Sequence, residues 1–379
     1  MKNILLLILV FSLYGCNISP TSDNGTDNNI NVILDEFELQ LQKDLRDDNL
    51  NGSLSMAIIK GDKVIRSKAF GNSNLQDIVA DTSNIYRIGS ISKSFTAFLM
   101  MQLVQDSIIR LDDFIEEYLP EVKEIKGYSD STKFTFRQLA SHTSGLAHLP
   151  KLPFRKGHVD DWESMLMKCL PATNFISIPN ERYSYSNIGF GILGLAISNA
   201  ANKPFVELME TRIFKPLNMH NSFYLIPEDR MDKLANGRSG GPMGGYDDQK
   251  PRERLSGRGW AVPNGGIFST ANDLAKFMRC NMGYSEILNN ANLTLMQTSQ
   301  TPDGKWHENY GIGFTIYQDS IISTIGHQGG TAGYRANFLF EKESEYGVVL
   351  LRNYNWGTTD LNLRSTVLLR KLKEAEKSK

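Results

Sequence analysis

The chain has 379 residues and is 41% hydrophobic, 10% aromatic and 22% charged, a composition that suits a globular protein with a well-buried core and excludes a disordered or fibrous one. Its formal net charge of -1, with no basic stripe, excludes bulk attraction to nucleic acid or to an anionic membrane surface. Beyond the N-terminal segment only Cys169 and Cys280 remain, too few for a disulfide framework, and both are expected as free, buried thiols.

In chain order, Lys2 precedes a short apolar run from Ile4 to Tyr14, followed by Gly15 and Cys16. The run is too short to span a bilayer but suits the apolar region of an export signal. Leu13-Tyr14-Gly15-Cys16 resembles a bacterial lipobox, so residues 1–16 are read as a lipoprotein signal ending on a lipidated Cys16. A polar stretch, 17–31, reads as a flexible tether to the cell-envelope membrane. The remainder, 32–379, reads as one domain. Ile33, Phe37, Leu41 and Leu45 share one helical face. Residues 54–60 and 63–70 read as two strands joined by the turn signal Gly61-Asp62. A mostly apolar, buried helix is expected over 92–106.

Residues 110–225 carry helical patterns broken by Pro and Gly and are read as an inserted helical lobe, with Gly145 stopping a helix begun near Thr135. The stretch 227–260 reads as a long surface loop of the kind that shapes active sites or meets a partner. Ser269 or Thr270 is placed to cap a helix. Strands are expected at 311–317, 321–325, 336–341 and 346–353, then a helix over 359–374. Strand patterns at both ends predict an α+β fold: one antiparallel sheet built from N- and C-terminal strands, flanked by helices, with the helical lobe inserted between.

The chemistry starts from Ser90-Ile91-Ser92-Lys93, the only Ser-x-x-Lys in the chain. On a helix, positions three apart share a face, which brings an amine to a hydroxyl. A serine hydroxyl needs a neighbouring base, and a lysine becomes one only where burial or nearby cations lower its pKa. The apolar run after Lys93 offers that burial. Farther on stand Tyr185-Ser186-Asn187 and Gly326-His327-Gln328-Gly329-Gly330. No histidine lies at metal-ligand spacing and no phosphate-binding glycine loop is present, so neither a metal nor another cofactor is expected.

The segment from Tyr86 to Thr96 resembles the nucleophile segment of the class C β-lactamase, DD-peptidase and esterase family. Tyr185-Ser186-Asn187 is similar to that family's Tyr-x-Asn motif, and His327-Gln328-Gly329 to its third motif in the His-x-Gly form. Residues 137–146 and 265–270 are similar as well, so the resemblance runs from about 35 to 370. It implies that Ser90 forms an acyl-enzyme, and that Lys93 shares a proton network with Tyr185. The Tyr185 phenol or phenolate would then act as general base and afterwards as acid. Asn187 would bind the substrate's amide side and hold Lys93. The backbone N–H groups of Ser90 and Gly330 would meet the oxyanion, Gly329 would let the backbone come close, and His327 would donate to the Tyr185 network or to a substrate carboxylate. His142 is read as structural.

β-Lactamases of the family carry Lys where His327 stands, and a neutral histidine suits a β-lactam carboxylate less well. The resemblance therefore implies a DD-peptidase- or esterase-like hydrolase of a small acyl or peptide substrate, peptidoglycan-derived peptides among them. The rival readings are a true β-lactamase and a non-catalytic penicillin- or peptidoglycan-binding homologue.

Overall fold

The computed structural model describes residues 24–379, apart from 75–76, 153–156, 241–245, 248, 253–254, 303–308 and 378–379. The expected export signal and the lipidation expected at Cys16 lie outside the described residues. Helix α1 spans Asn24–Asp48, so it takes up the second half of the stretch read as tether. The reason is packing: Ile30 and Ile33 lie against the same apolar cluster as Leu34, Phe37 and Leu41, and so extend the helix towards its N-terminus.

Strands β1 (Ser53–Lys60) and β2 (Lys63–Gly71) form the expected hairpin. The C-terminal part supplies β3 (Asn309–Tyr310), β4 (Thr315–Gln318), β5 (Ser323–Thr331), β6 (Tyr334–Glu341) and β7 (Tyr346–Arg352). They form one seven-stranded sheet in the order β2-β1-β7-β6-β5-β4-β3, with every neighbouring pair antiparallel. The first strand thus pairs with the last, Ala57 opposite Val349, which makes the sheet a product of both chain ends.

Helices cover both faces. Leu54, Met56 and Ile58 of β1 join Val348 and Leu350 of β7 under α1 and α6 (Leu361–Lys377). Ala57, Ile59, Val349 and Leu351 face the larger core, which includes α2 (Ser92–Gln105), α4 (Asn187–Ala201) and α5 (Ala271–Asn281). Burial on both sides explains why β1 reads as a continuous apolar run rather than an alternating one. Thr270 caps α5 by accepting from the Asp273 N–H at 3.1 Å.

The lobe over 110–225 is built of short helical pieces. Its segment 135–146 is helical only in α3 (Phe136–Ala140), because His142 and Gly145 both take positive φ, 61° and 74°, and turn the chain. Within 227–260 the described residues include short elements: a 3₁₀ turn at Glu228–Lys233, a two-residue pairing of Ser239–Gly240 with Tyr246–Asp247, and a helical turn at Gln249–Arg252. Cys169 and Cys280 are free and buried. Among the described residues, no helix is long and apolar enough to cross a membrane.

Candidate active site

Ser90 lies in a 3₁₀ turn, Gly89–Ile91, that runs directly into α2. Gly89 has φ 54°, and a Cβ there would stand 2.7 Å from the Gly330 nitrogen, so only glycine lets the nucleophile turn and β5 come this close. Gly329 meets the same limit, since its Cβ would fall 1.9 Å from the Ile88 carbonyl oxygen. β5 was expected to end near Ile325, but it continues to Thr331 and carries His327, Gly329 and Gly330 along the nucleophile turn. β4 pairs only with residues 323–326 of β5, which leaves the edge beyond Gly326 open beside Ser90.

Helix α2 is buried from Ser92 to Leu103. Lys93 is wholly buried, and its Nζ lies 3.1 Å from Ser90 Oγ, 2.7 Å from Asn187 Oδ1 and 3.1 Å from the Asn264 carbonyl oxygen. Among the described residues no carboxylate pairs with it. Burial, and second the Arg258 cation, hold its pKa well below the ordinary lysine value. Nζ donates to all three oxygens; in the neutral amine two N–H groups suffice for Asn187 and Asn264, which frees the lone pair for the Ser90 hydroxyl.

Tyr185 also hydrogen-bonds Ser90, and its ring lies 4.8 Å from Lys93 Nζ. Burial pushes the phenol upward, only partly countered by Ser90. The structure thus favours the phenol over the phenolate that the sequence reading left open, because a charged oxygen there would lose its hydration.

Asn187 opens α4, which Ser186 caps by accepting from the Gly189 N–H at 3.0 Å. Two histidines brace this segment. His142 accepts from the Ser186 N–H through Nδ1 at 3.0 Å, and its carbonyl accepts from the Ser184 N–H at 2.8 Å. His148 donates from Nδ1 to the Tyr185 carbonyl at 2.8 Å, which leaves Nε2 to accept from Asn187 Nδ2 at 3.1 Å. That last bond sets which end of the Asn187 amide faces Lys93. His142 fits its structural reading, whereas His148 had drawn no role.

His327 is buried and faces the cleft, but its hydrogen bonds differ from expectation. Nδ1 donates to the Gln328 carbonyl at 2.6 Å, so Nε2 accepts from the Tyr310 hydroxyl at 3.1 Å. The ring has no N–H left to offer to Tyr185. Burial, and second the proximity of Lys93, lower its pKa to about 3, so it is neutral at physiological pH.

Asn264, Arg258 and Tyr310 were also missed. Asn264 receives Lys93 on its carbonyl and donates from its amide to the Asn187 carbonyl at 3.0 Å. Arg258 donates to the Gly265 carbonyl at 3.0 Å. The available signals were the family-like segment 265–270 just after Asn264 and the end of the long loop at Arg258. Neither shows which carbonyl points at Lys93. Among the described residues, no group of His, Cys, Asp or Glu is arranged to hold a metal ion.

The family model "Beta-lactamase" matches residues 41–371. The chain belongs to the beta-lactamase family. It is 29% identical over 355 residues to Beta-lactamase-like protein 2 of Dictyostelium discoideum, covering 90% of this chain and 63% of that protein. It is 23% identical over 337 residues to Protein flp of Staphylococcus aureus (strain COL), covering 84% and 63%. The chain thus spans less than two thirds of the length of these relatives. In fold it is similar to the octameric penicillin-binding protein homologue from Pyrococcus abyssi (TM-score 0.74, 24% identity, 89% of this chain and 76% of that one). It is likewise similar to a D-stereospecific amidohydrolase from Streptomyces sp. (TM-score 0.70, 22% identity, 87% and 96%).

Proposed function

We propose that this chain is a serine hydrolase that acts through an acyl-enzyme on an ester, a D-amino-acid amide or a related acyl substrate. The observation that carries the reading is the buried Lys93 amine, held by Asn187 and the Asn264 carbonyl with its remaining contact on Ser90 Oγ. In the proposed step the Ser90 proton passes to Lys93 Nζ as Oγ attacks the carbonyl carbon. The backbone N–H groups of Ser90 and Gly330 receive the oxyanion. On collapse, the proton returns through the Tyr185 phenol to the leaving oxygen or nitrogen, and water then hydrolyses the Ser90 ester by the same relay run in reverse.

A lysine general base depends on desolvation, and Lys93 is fully buried. The neutral His327 argues against efficient β-lactam turnover, because it brings no cation to a β-lactam carboxylate. The test is intact-mass spectrometry after exposure to a penicillin, alongside p-nitrophenyl ester hydrolysis, for the wild type and Ser90→Ala. The expected result is an adduct and ester cleavage that both vanish in Ser90→Ala. Rapid penicillin consumption would favour a true β-lactamase. Absence of any Ser90-dependent reaction would overturn the proposal in favour of a binding homologue.

A further inference from the structure

The segment that carries Tyr185 and Asn187 is tied to two histidines of the loop after α3. His142 takes the Ser184 and Ser186 N–H groups, and the His148 carbonyl takes those of Asn187 and Ile188, at 3.0 and 3.4 Å. The His148 ring completes the set, with Nδ1 donating to the Tyr185 carbonyl and Nε2 accepting from Asn187 Nδ2. Only the neutral ring protonated on Nδ1 makes both bonds, since a carbonyl cannot donate and an amide nitrogen cannot accept.

The Asn187 amide is thereby held at both ends. Oδ1 accepts from Lys93 Nζ at 2.7 Å while Nδ2 faces His148 at 3.1 Å. The two ends share one carbon, so whichever end meets His148 fixes the end that meets Lys93. A proton on Nε2 turns that ring position from acceptor to donor and sets it against the Nδ2 hydrogens. A half-turn of the amide restores the bond by bringing Oδ1 to His148. The same half-turn brings Nδ2 to Lys93. The amine then loses its acceptor and meets an N–H donor that engages its lone pair, the pair that takes the Ser90 proton in the proposed step. Nδ1 keeps the Tyr185 carbonyl in both states, so the ring itself stays in place.

His148 is positioned to exchange that proton. It is exposed and lines the cleft, so water reaches it. The titratable groups around it are Tyr183 and Tyr185 ahead of α4, His142 of its own loop, Lys93 of α2 and His327 of β5. No carboxylate is among them. His142 and His327 are buried and kept neutral by that burial, which leaves His148 as the solvent-reached histidine of the site. Histidine ordinarily changes charge between about pH 5 and 8.

We propose that His148 is a proton-sensing positioning residue: its protonation turns over the Asn187 amide and takes the Lys93 base out of use, which shuts down turnover in acidic surroundings. The effect on turnover rests on the hydrolase reading above, whereas the turning of the amide does not.

The test uses the whole chain and two readouts over one pH range. Nitrogen-15 NMR follows the His148 ring and the side-chain amide of Asn187. In parallel, kcat/KM on a neutral p-nitrophenyl ester is measured for the wild type and His148→Gln. Glutamine offers a donor and an acceptor on one carbon, as the imidazole does, but takes up no proton. In the wild type the Asn187 signal is expected to move with the His148 midpoint, and the acid fall of kcat/KM to steepen by about a further tenfold per pH unit below it. In His148→Gln, read against its own plateau, that added steepness disappears and only the Lys93 limb remains. A merely structural His148 would lower the rate of His148→Gln at every pH and leave the shape of the profile as in the wild type, which would overturn the inference. An Asn187 signal that ignores the His148 titration would overturn it as well. If no Ser90-dependent turnover is found, the hydrolase reading falls, and the Asn187 signal still decides whether the amide turns.

Discussion

Replacing Arg258 with methionine removes a buried cation that depresses Lys93, while the change keeps much of the side chain's volume. Lys93 Nζ and Arg258 Nη1 donate to successive carbonyls, Asn264 and Gly265, at 3.1 and 3.0 Å. That arrangement sets the two charges on the order of 7 Å apart. At an effective dielectric of about 20, their repulsion is worth about 2 kcal/mol, so its removal raises the Lys93 pKa. The sign is fixed by the role proposed for Lys93. It acts as a base only when neutral, so kcat/KM rises as pH climbs through the Lys93 pKa. Without Arg258 the ammonium form is less disfavoured, that pKa moves up, and the rising limb moves to higher pH. The assay is the pH dependence of kcat/KM on a neutral p-nitrophenyl ester for the wild type, Arg258→Met and Arg258→Lys. The expected result is a displacement of the limb to higher pH in Arg258→Met and a smaller one in Arg258→Lys. A variant that folds and turns over ester with its limb unmoved would refute the electrostatic argument. A loss of rate at every pH would point instead to the Gly265 contact as the role of Arg258.

His148→Phe leaves the Asn187 amide without its second partner, so the Lys93 amine loses a fixed acceptor. Because small misplacements of reacting groups carry large rate penalties, kcat is expected to fall by up to about a hundredfold. The melting temperature, read by circular dichroism, should change little, because His148 is exposed. Asp48→Asn is expected to destabilise the fold by about 3 kcal/mol in urea unfolding, since it leaves Arg352 buried without its counter-charge. The Asp48 carboxylate is opposed by burial but is held below its ordinary value by hydrogen bonds from Thr359, Tyr354 and Thr358. Its contribution is therefore present above the unfolded pKa of about 4 and lost as pH falls below it. Wild-type stability should drop over that acid range, and Asp48→Asn should show a shallower drop.

The Asp48 contacts also connect the two ends of the chain to the cleft. The C-terminal residue of α1 accepts from Thr358 and Tyr354, residues of the segment between β7 and α6 that forms one wall of the site. The cleft wall and the N-terminal helix are thus mechanically one unit, although some 300 residues separate them in sequence.

Several features of this protein were fixed by sequence alone, because they are local. Ser90 and Lys93 are three positions apart at the start of a helix, and helical geometry brings them together whatever surrounds them. The apolar run that follows buries the lysine. The apolar runs, the turn residues and the split of strand patterns between the chain ends are legible for the same reason, and so is Gly329, which permits close backbone contact. The tertiary structure decided what depends on groups distant in the chain. Asn264 and Asn187 hold the lysine from segments more than ninety residues away from it, and His148 orients that asparagine across 39 positions. Tyr310 takes the hydrogen bond of His327, and burial keeps the Tyr185 phenol protonated. Desolvation and charge pairing depend on everything that packs around a group, so protonation states and partner choices became readable only in the folded chain.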